Sequence, residues 1–276
     1  MKTGELLQYG IKTLKEAGIS DHSTDAHLLL EYVLGKDRTF LKAHPDAEVT
    51  KDEEKAYRGF IMERSRRIPL QHITGTVWFM GLEFAVSPDV LIPRFDTEFV
   101  TEEVLKEVCD GDRVLDMCTG SGCILLSVMS FKNDIEGVGA DVSEKALKVA
   151  CENALRLKKE PVLLCSDMFE KVEGTFDCIV SNPPYIRSAD IEGLQAEVRD
   201  HEPNAALDGG EDGLKFYRII ADEAYKYLRK EGRIVCETGY DQGDDVRRIF
   251  EERGYRDIRI IKDYSGNERV MICLNR

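Results

Sequence analysis

No CxxC pair occurs among the eight cysteines of this 276-residue chain, and their spacing matches no zinc-ligand pattern. A zinc ribbon and a thioredoxin-like redox pair are both excluded. Cys165, Cys178, Cys236 and Cys273 fall in strand-like apolar runs and read as reduced, buried thiols of a cytoplasmic protein. Long apolar runs are also missing. Stretches such as Cys123 to Met129 fall far short of the ~20 residues that cross a bilayer. The opening MKTGELLQYG lacks the charged-then-apolar layout of a secretory leader. There is no internal repeat and no low-complexity tract.

A basic tract is absent as well. The formal net charge is −14, from 38 basic and 52 acidic residues. Residues 1–75 hold 12 of each and sum to zero, which leaves 26 basic and 40 acidic residues in 76–276. The larger part therefore carries the whole charge. Phosphate contacts dominate affinity for nucleic acid, so this balance weakens any reading in which that part grips DNA or RNA directly. The length and a 42% hydrophobic content suit one large domain plus a smaller one.

What is present divides near residue 75. Leu6, Leu7, Ile11 and Leu14 recur at helical spacing, as do Ala26, Leu29, Leu30 and Val33. Thr50 followed by Glu53 is a capping-box pattern that starts another helix. These signs predict a small helical domain over 1–75. Residues 76–90 read as a hairpin around Gly81, and Leu91 to Glu98 as a linker, so 76–98 connects to a domain over 99–276. There strands and helices alternate. Strands are expected at 113–117, 137–142, 161–167, 176–182 and 233–238. Helices are expected after Gly122, after Ser143, over 213–230 with Gly232 as terminator, and near 241–253. Segments 257–264 and 268–274 form a closing hairpin. Alternating strands and helices predict a mostly parallel α/β sheet.

Three strand ends carry candidate binding residues. After the first comes Cys118-Thr119-Gly120-Ser121-Gly122, a glycine loop at a helix start, where free N–H groups can face a ligand. It is neither GxGxxG nor a P-loop, and on its own an ordinary tight turn explains it equally well. The second strand ends in Asp141, which can accept both hydroxyls of a ribose or serve as a neighbour of the helix-capping Ser143. The third ends near Asp167 and Met168, an acid and an apolar side chain suited to adenine, or else a simple turn. One ligand can touch all three. The loop offers little cradle for a pyrophosphate, and a nucleoside with a zwitterionic tail, such as S-adenosylmethionine, fits better.

The fourth strand stops at Ser181-Asn182-Pro183-Pro184-Tyr185, because proline cannot donate to a sheet ladder. The Asn182 side-chain carbonyl and the Pro183 backbone carbonyl are two acceptors without a base. Two acceptors suit a planar NH2 group, on which Tyr185 can stack. A capped, proline-rich loop would leave the two consecutive prolines unexplained.

Asn-Pro-Pro-Tyr in this strand order resembles the motif of S-adenosylmethionine-dependent methyltransferases that modify planar NH2 groups. More narrowly, PLQHITGTVWFMGLEFAVSPDVLIPRFDTE, VLDMCTGSGCI, ADVSEKAL, FDCIVSNPPYI, EPNAALDGGEDGL and KDYSGNERVM resemble the release-factor glutamine methyltransferases, the PrmC/HemK family. The resemblance runs from about Pro69 to the C-terminus. Three positions depart from it: Cys118 stands where the family has glycine, Phe95-Asp96 where it has Pro-Glu, and Thr238 where it has isoleucine.

The resemblance implies a Rossmann-like class I methyltransferase: a seven-stranded, mostly parallel sheet ending in an antiparallel hairpin, preceded by a helical substrate-docking domain. It implies methyl transfer from S-adenosylmethionine, leaving S-adenosylhomocysteine, to the glutamine amide N5 of the Gly-Gly-Gln motif in peptide chain release factors. Asn182, Pro183 and Tyr185 would be catalytic. Asn182 to Tyr185, Pro184 included, would hold substrate. Cys118 to Gly122, Asp141, Asp167, Met168 and Asn182 would hold the cofactor. The expected protein is a cytoplasmic monomer with no metal, no membrane contact and no nucleic-acid substrate. None of the five histidines is needed as a base. Two other readings share the motif: a glutamine methyltransferase of a ribosomal protein, and an adenine-N6 methyltransferase of DNA or RNA, whose base would be flipped out to reach the site.

Overall fold

The computed structural model describes residues 1–276 and divides into two compact units, Met1–Thr76 with Gln195–His201, and Val77–Leu194 with Glu202–Arg276. The first unit is helical: α1 (Thr3–Glu16), α2 (His22–Leu34), α3 (Arg38–Ala43), α4 (Lys51–Ser65) and α5 (Leu70–Thr74). The apolar positions at helical spacing converge on Tyr57, Leu6, Leu14, Leu29, Leu30 and Ile61, all fully buried. The Tyr57 hydroxyl donates to the Ala26 carbonyl at 3.0 Å. Gly10 is required beneath that ring, where a Cβ would lie 2.0 Å from the hydroxyl. The capping box at α4 forms as its sequence predicts, with Glu53 accepting from the Thr50 N–H at 2.8 Å.

The second unit begins with the hairpin β1 (Thr76–Phe79) and β2 (Leu82–Ala85), which turns on Met80 and Gly81, both at positive φ. Helix α6 (Phe95–Glu107) follows. This corrects the expected linker: Phe95 to Glu98 form a first helical turn, where Asp96 and Glu98 favour the positive end of the helix dipole. Nor is 76–98 a separate connector. Phe79 and Phe84 bury their rings with Val100, Val104 and Ile124 in the core of this unit.

The alternating part runs β3 (Arg113–Met117), α7 (Cys123–Phe131), β4 (Glu136–Asp141), α8 (Glu144–Leu157), β5 (Val162–Cys165) and β6 (Phe176–Ser181), then, after the short α9 (Ala196–Arg199) that belongs to the first unit, α10 (Lys215–Glu223), β7 (Leu228–Glu237), α11 (Gly243–Glu252), β8 (Arg256–Lys262) and β9 (Glu268–Leu274). Seven strands form one sheet in the order β5-β4-β3-β6-β7-β9-β8. The first five are parallel, and β9 pairs antiparallel with both β7 and β8. Period-two alternation splits the core. Leu115, Ile179 and Ile234 face Tyr217 and Phe250 on one side, whereas Val114, Val180 and Val235 face α6 and α7 on the other.

One expected helix is shorter than its pattern. Residues 213–230 read as one amphipathic helix ended by Gly232, but α10 stops at Glu223 and β7 already begins at Leu228. Tyr227 stacks on Phe169 at 5.1 Å, Leu228 is buried, and Asn275 donates to the carbonyls of Leu228 and Arg229. These tertiary contacts override local helix propensity. Gly232 lies within β7, where the register against β6 shifts.

Candidate functional site

Strand order reverses between β3 and β6, and in open parallel sheets ligands bind at the strand C-termini beside such a switch. A cleft opens there. Its lining includes Cys118, Thr119, Gly120, Ser121, Asp141, Asp167, Met168, Asn182 and Pro184 from the sequence-predicted set. Gly122, Pro183 and Tyr185 do not line it. Gly122 is instead the left-handed residue that starts α7, and Pro183 is buried.

The glycine loop is held from below. Asp116 is fully buried at the end of β3, and its Oδ2 accepts from the Thr119 hydroxyl at 2.7 Å. Its Oδ1 is buried without a hydrogen bond. Burial pushes the carboxyl up to about 7 against those bonds. Cys118 adopts φ +63, in the small left-handed region that an L-residue enters only at a cost. Its Sγ lies 4.0 Å from the sulfur of Met168, itself at φ +45. Burial raises the Cys118 thiol far above its usual range, so it is a neutral wall rather than a nucleophile.

Asp141 combines the two roles its position allows. Oδ2 accepts from the Gly120 N–H at 2.9 Å and Oδ1 from the Ser143 N–H at 2.8 Å. A carboxylate has about four acceptor positions, so each oxygen keeps one for a ligand. Burial raises this carboxyl and its backbone hydrogen bonds partly oppose the rise. A charged acceptor pair, a loop of glycines, an acid at Asp167 and apolar walls from Met117, Ile124 and Met168 fit the diol, tail and adenine of S-adenosylmethionine.

At the rim, Asn182 Nδ2 donates to the Thr97 hydroxyl at 3.2 Å, and Thr97 donates to Glu237 Oε2 at 2.8 Å. Tyr185 also donates to Glu237, at 3.2 Å from Oε1. The Tyr185 hydroxyl is thus turned onto a buried carboxyl rather than into the cleft. The rim is locked from outside: Gln242 Nε2 donates to the Tyr185 carbonyl, and Ile186 pairs with Leu207 and Gly209 through backbone bonds. Gly209 has no room for a side chain, because a Cβ would sit 2.8 Å from Tyr185 Cα. No protein hydrogen bond reaches Asn182 Oδ1, so this acceptor on the cleft lining remains for a ligand, whereas Pro183 is buried and off the lining.

Sequence reasoning missed Thr97, Glu237 and the pair Arg94–Glu202, in which Arg94 Nη2 lies 2.6 Å from Glu202 Oε1. Arg94 and Thr97 line the cleft, as do Pro203, Ala205 and Ala206 of the EPNAALDGG stretch. All but Glu237 fall in segments that carried the family resemblance, but nothing in their local pattern distinguishes them from capping or surface residues. The five histidines stay outside the cleft lining.

A PrmC N-terminal domain model matches residues 5–75, and a methyltransferase small domain model matches 95–199. A release factor glutamine methyltransferase of Geobacter sulfurreducens is 41% identical over 94% of this chain and 91% of its own length. One from Clostridium acetobutylicum is 39% identical over 99% of each. Among solved structures, a methyltransferase from Pyrococcus furiosus superposes with a TM-score of 0.54 at 20% identity, covering 71% of this chain and 90% of that one, a likeness of fold. With identity sustained along nearly its whole length, the chain belongs to the release factor glutamine methyltransferase family.

Proposed function

We propose that this protein transfers a methyl group from S-adenosylmethionine to the side-chain amide nitrogen of the glutamine in the Gly-Gly-Gln motif of peptide chain release factors. The observation that carries the reading is Asn182 on the cleft lining at the end of β6, its Oδ1 without a protein partner and no general base beside it; the Pro183 carbonyl would supply the second acceptor. Two acceptors take the two hydrogens of a planar NH2 group and fix its nitrogen. Amide delocalisation leaves that nitrogen a poor nucleophile, so holding it in one orientation matters more than deprotonating it. Positioning of this kind is worth ~7–11 kcal/mol at best. When bound, the sulfonium cofactor supplies an activated methyl, whose C–S bond breaks as the N–C bond forms. The amide proton then leaves to water.

Asp141 would hold the ribose hydroxyls, the loop Cys118 to Gly122 the amino-acid tail, and Asp167 with Met168 the adenine. The helical unit would dock the folded substrate. A glutamine on a loop tip buries far less than the ~1,200 Å² of a stable protein interface, so a second contact is needed. Leu28, Tyr32 and Met62 expose apolar surface on that unit.

The test offers labelled cofactor with whole release factor, a short Gly-Gly-Gln peptide, ribosomal protein and DNA. Label on the glutamine of the factor, and less efficiently on the peptide, is expected. Preferential labelling of DNA or ribosomal protein overturns the assignment. Serine at Leu28, Tyr32 and Met62 should raise KM for whole factor and leave the peptide unchanged; equal effects on both would remove the docking role.

A further inference from the structure

We propose that Thr97 and Glu237 set the working orientation of the Asn182 side-chain amide and are positioning residues for the methyl acceptor. The inference rests on the reading of Asn182 given above. It starts from counting hydrogens. An ionised carboxylate only accepts, and a threonine hydroxyl has one hydrogen to give. Thr97 gives it to Glu237 Oε2 at 2.8 Å. Its oxygen can then only accept, so the Asn182 atom 3.2 Å away must be the NH2 group. That leaves Oδ1 for the cleft. The acceptor that meets the substrate is thus chosen two residues away, by the charge on Glu237.

A proton on Oε2 of Glu237 reverses this chain. The carboxyl then donates to Thr97, Thr97 donates to Asn182, and Oδ1 turns toward α6. The cleft would face an NH2 group, which repels another NH2. A proton on Oε1 turns the Tyr185 phenol instead and loosens the rim beside Pro184. Both outcomes spoil the acceptor pair, so the carboxylate is the working form.

The surroundings hold Glu237 close to this balance. Burial raises its carboxyl to about 7, opposed by Thr97, by the positive charge of Arg269 on β9 and by Tyr185, while Asp96 on α6 adds to the rise. From α10, the Tyr217 hydroxyl donates to the Glu237 backbone carbonyl at 2.9 Å and leaves the carboxyl alone. Arg269 is itself shared between Asp96 at 3.1 Å and Asp263 at 3.3 Å, which keeps it from neutralising Glu237 outright.

The experiment has two arms on the full chain. In the first, Thr97→Val, Thr97→Ser and Glu237→Gln are assayed for kcat, KM and cofactor Kd between pH 5.5 and 9. Thr97→Val is expected to lose ten-fold or more in kcat, with cofactor Kd within two-fold of the parent. Thr97→Ser should recover activity to within about three-fold. The parent should lose kcat as pH falls through about 7, and Thr97→Val should not show that limb. Equal losses in Thr97→Val and Thr97→Ser, or a parent profile flat from 6 to 8, overturn the proposal. The second arm needs no substrate. The Asn182 side-chain NH2 resonances, assigned by loss in Asn182→Asp, should follow the Glu237 titration in the parent and cease to follow it in Thr97→Val. Resonances that ignore pH in the parent refute the relay. Resonances that do follow it, in a protein that labels DNA, would refute the substrate assignment and leave the relay standing.

Discussion

Buried carboxylates are treated in two ways, and the contrast is sharpest between Asp25 of the helical unit and Asp116 and Glu237 of the methyltransferase unit. In the helical unit, Arg64 is 8% exposed and meets Asp25 at 2.7 Å and Glu197 at 3.0 Å, while Arg67 adds a second contact to Glu197 at 3.3 Å. Each buried carboxylate there touches a cation. In the methyltransferase unit, Asp116 and Glu237 are more deeply buried and touch only hydroxyl and N–H groups. Their carboxyls both rise to about 7. Left-handed backbone at non-glycine residues occurs in both units, at Arg67 (φ +69) in the helical one. Cys118 and Met168 hold left-handed backbone on the wall of the cleft. Asp25 is neutralised where only packing surrounds it, whereas Asp116 and Glu237 lack a cation in contact and bond to Thr119 and Thr97, which line the cleft where a ligand arrives.

The comparison breaks first at Asn182. Asn182→Ala should abolish methyl transfer, by 10³-fold or more, and leave the melting temperature within a few degrees. The side chain lies at the rim, bonded only to Thr97, so little packing is lost. A large fall in melting temperature would make Asn182 a structural residue and remove the main support for the proposed chemistry.

Two substitutions should then move stability in opposite directions. Arg64→Met strands Asp25, while Glu197 keeps Arg67, and is expected to cost about 3–5 kcal/mol, as loss of one partner of a buried pair does. Glu237→Gln should stabilise the fold at pH 8 while impairing turnover. The folded-state carboxyl is raised above its unfolded value near 4.3, so the native state holds an extra proton between those values. Stability tied to that proton is full below about 4.3 and lost as pH rises through about 7. Glutamine never ionises, so its advantage should be absent at pH 4 and reach about 3 kcal/mol at pH 8. Thermal melts at the two pH values measure it. An equal effect at both would mean that Glu237 matters through packing, and the contrast between the units would fail there.

Much of this arrangement was legible before any coordinates. Every sheet strand from β3 to β9 was anticipated within a few residues, because β-branched runs ending in Asp, Asn or Pro mark strand ends facing a ligand. The seven-stranded, mostly parallel sheet with its antiparallel end followed from the family resemblance. Two boundaries were not legible. Helix α6 has buried Thr97, Val100 and Val104 at helical spacing, but its opening IPRFDTE reads locally as a loop. The start of β7 is set by Phe169 and Asn275, which are distant in sequence. The site divided in the same way. Residues that meet a ligand at strand ends were found, and those that position them were not. Thr97 and Glu237 are 140 positions apart, and neither has chemistry of its own until the fold places them together.

Asp141→Asn should sharpen the cofactor side. The carboxylate accepts from Gly120 and Ser143 and has one position left on each oxygen. An amide replaces one acceptor with a donor, which faces an N–H or a ribose hydroxyl. Hydrogen bonds to a charged group are worth ~1.5–3 kcal/mol, so cofactor Kd should rise about ten-fold or more. An unchanged Kd by calorimetry would assign Asp141 to loop and helix capping alone.

The smallest expected effect concerns Cys118, whose φ of +63 favours glycine. The left-handed conformation costs an L-residue about 1–2 kcal/mol. Glycine removes that cost but adds ~0.5–1 kcal/mol of unfolded-chain entropy, and it surrenders the buried contact of Sγ with Met168. The terms nearly cancel, so Cys118→Gly should shift the melting temperature little. Cofactor affinity is a better probe, because relieving strain lets the loop close around the tail without distorting. Cys118→Gly should tighten binding by a factor of about two to five, Cys118→Ala should stay near the parent, and Cys118→Val should bind more weakly, since a β-branched residue fits this backbone worst. Calorimetry across the three variants measures the order. If Ala and Gly bind alike and both exceed the parent, the sulfur crowds the cleft and backbone strain is not the cause. If valine matches glycine, the loop relaxes freely, and the left-handed backbone at Cys118 stores nothing that the cofactor must overcome.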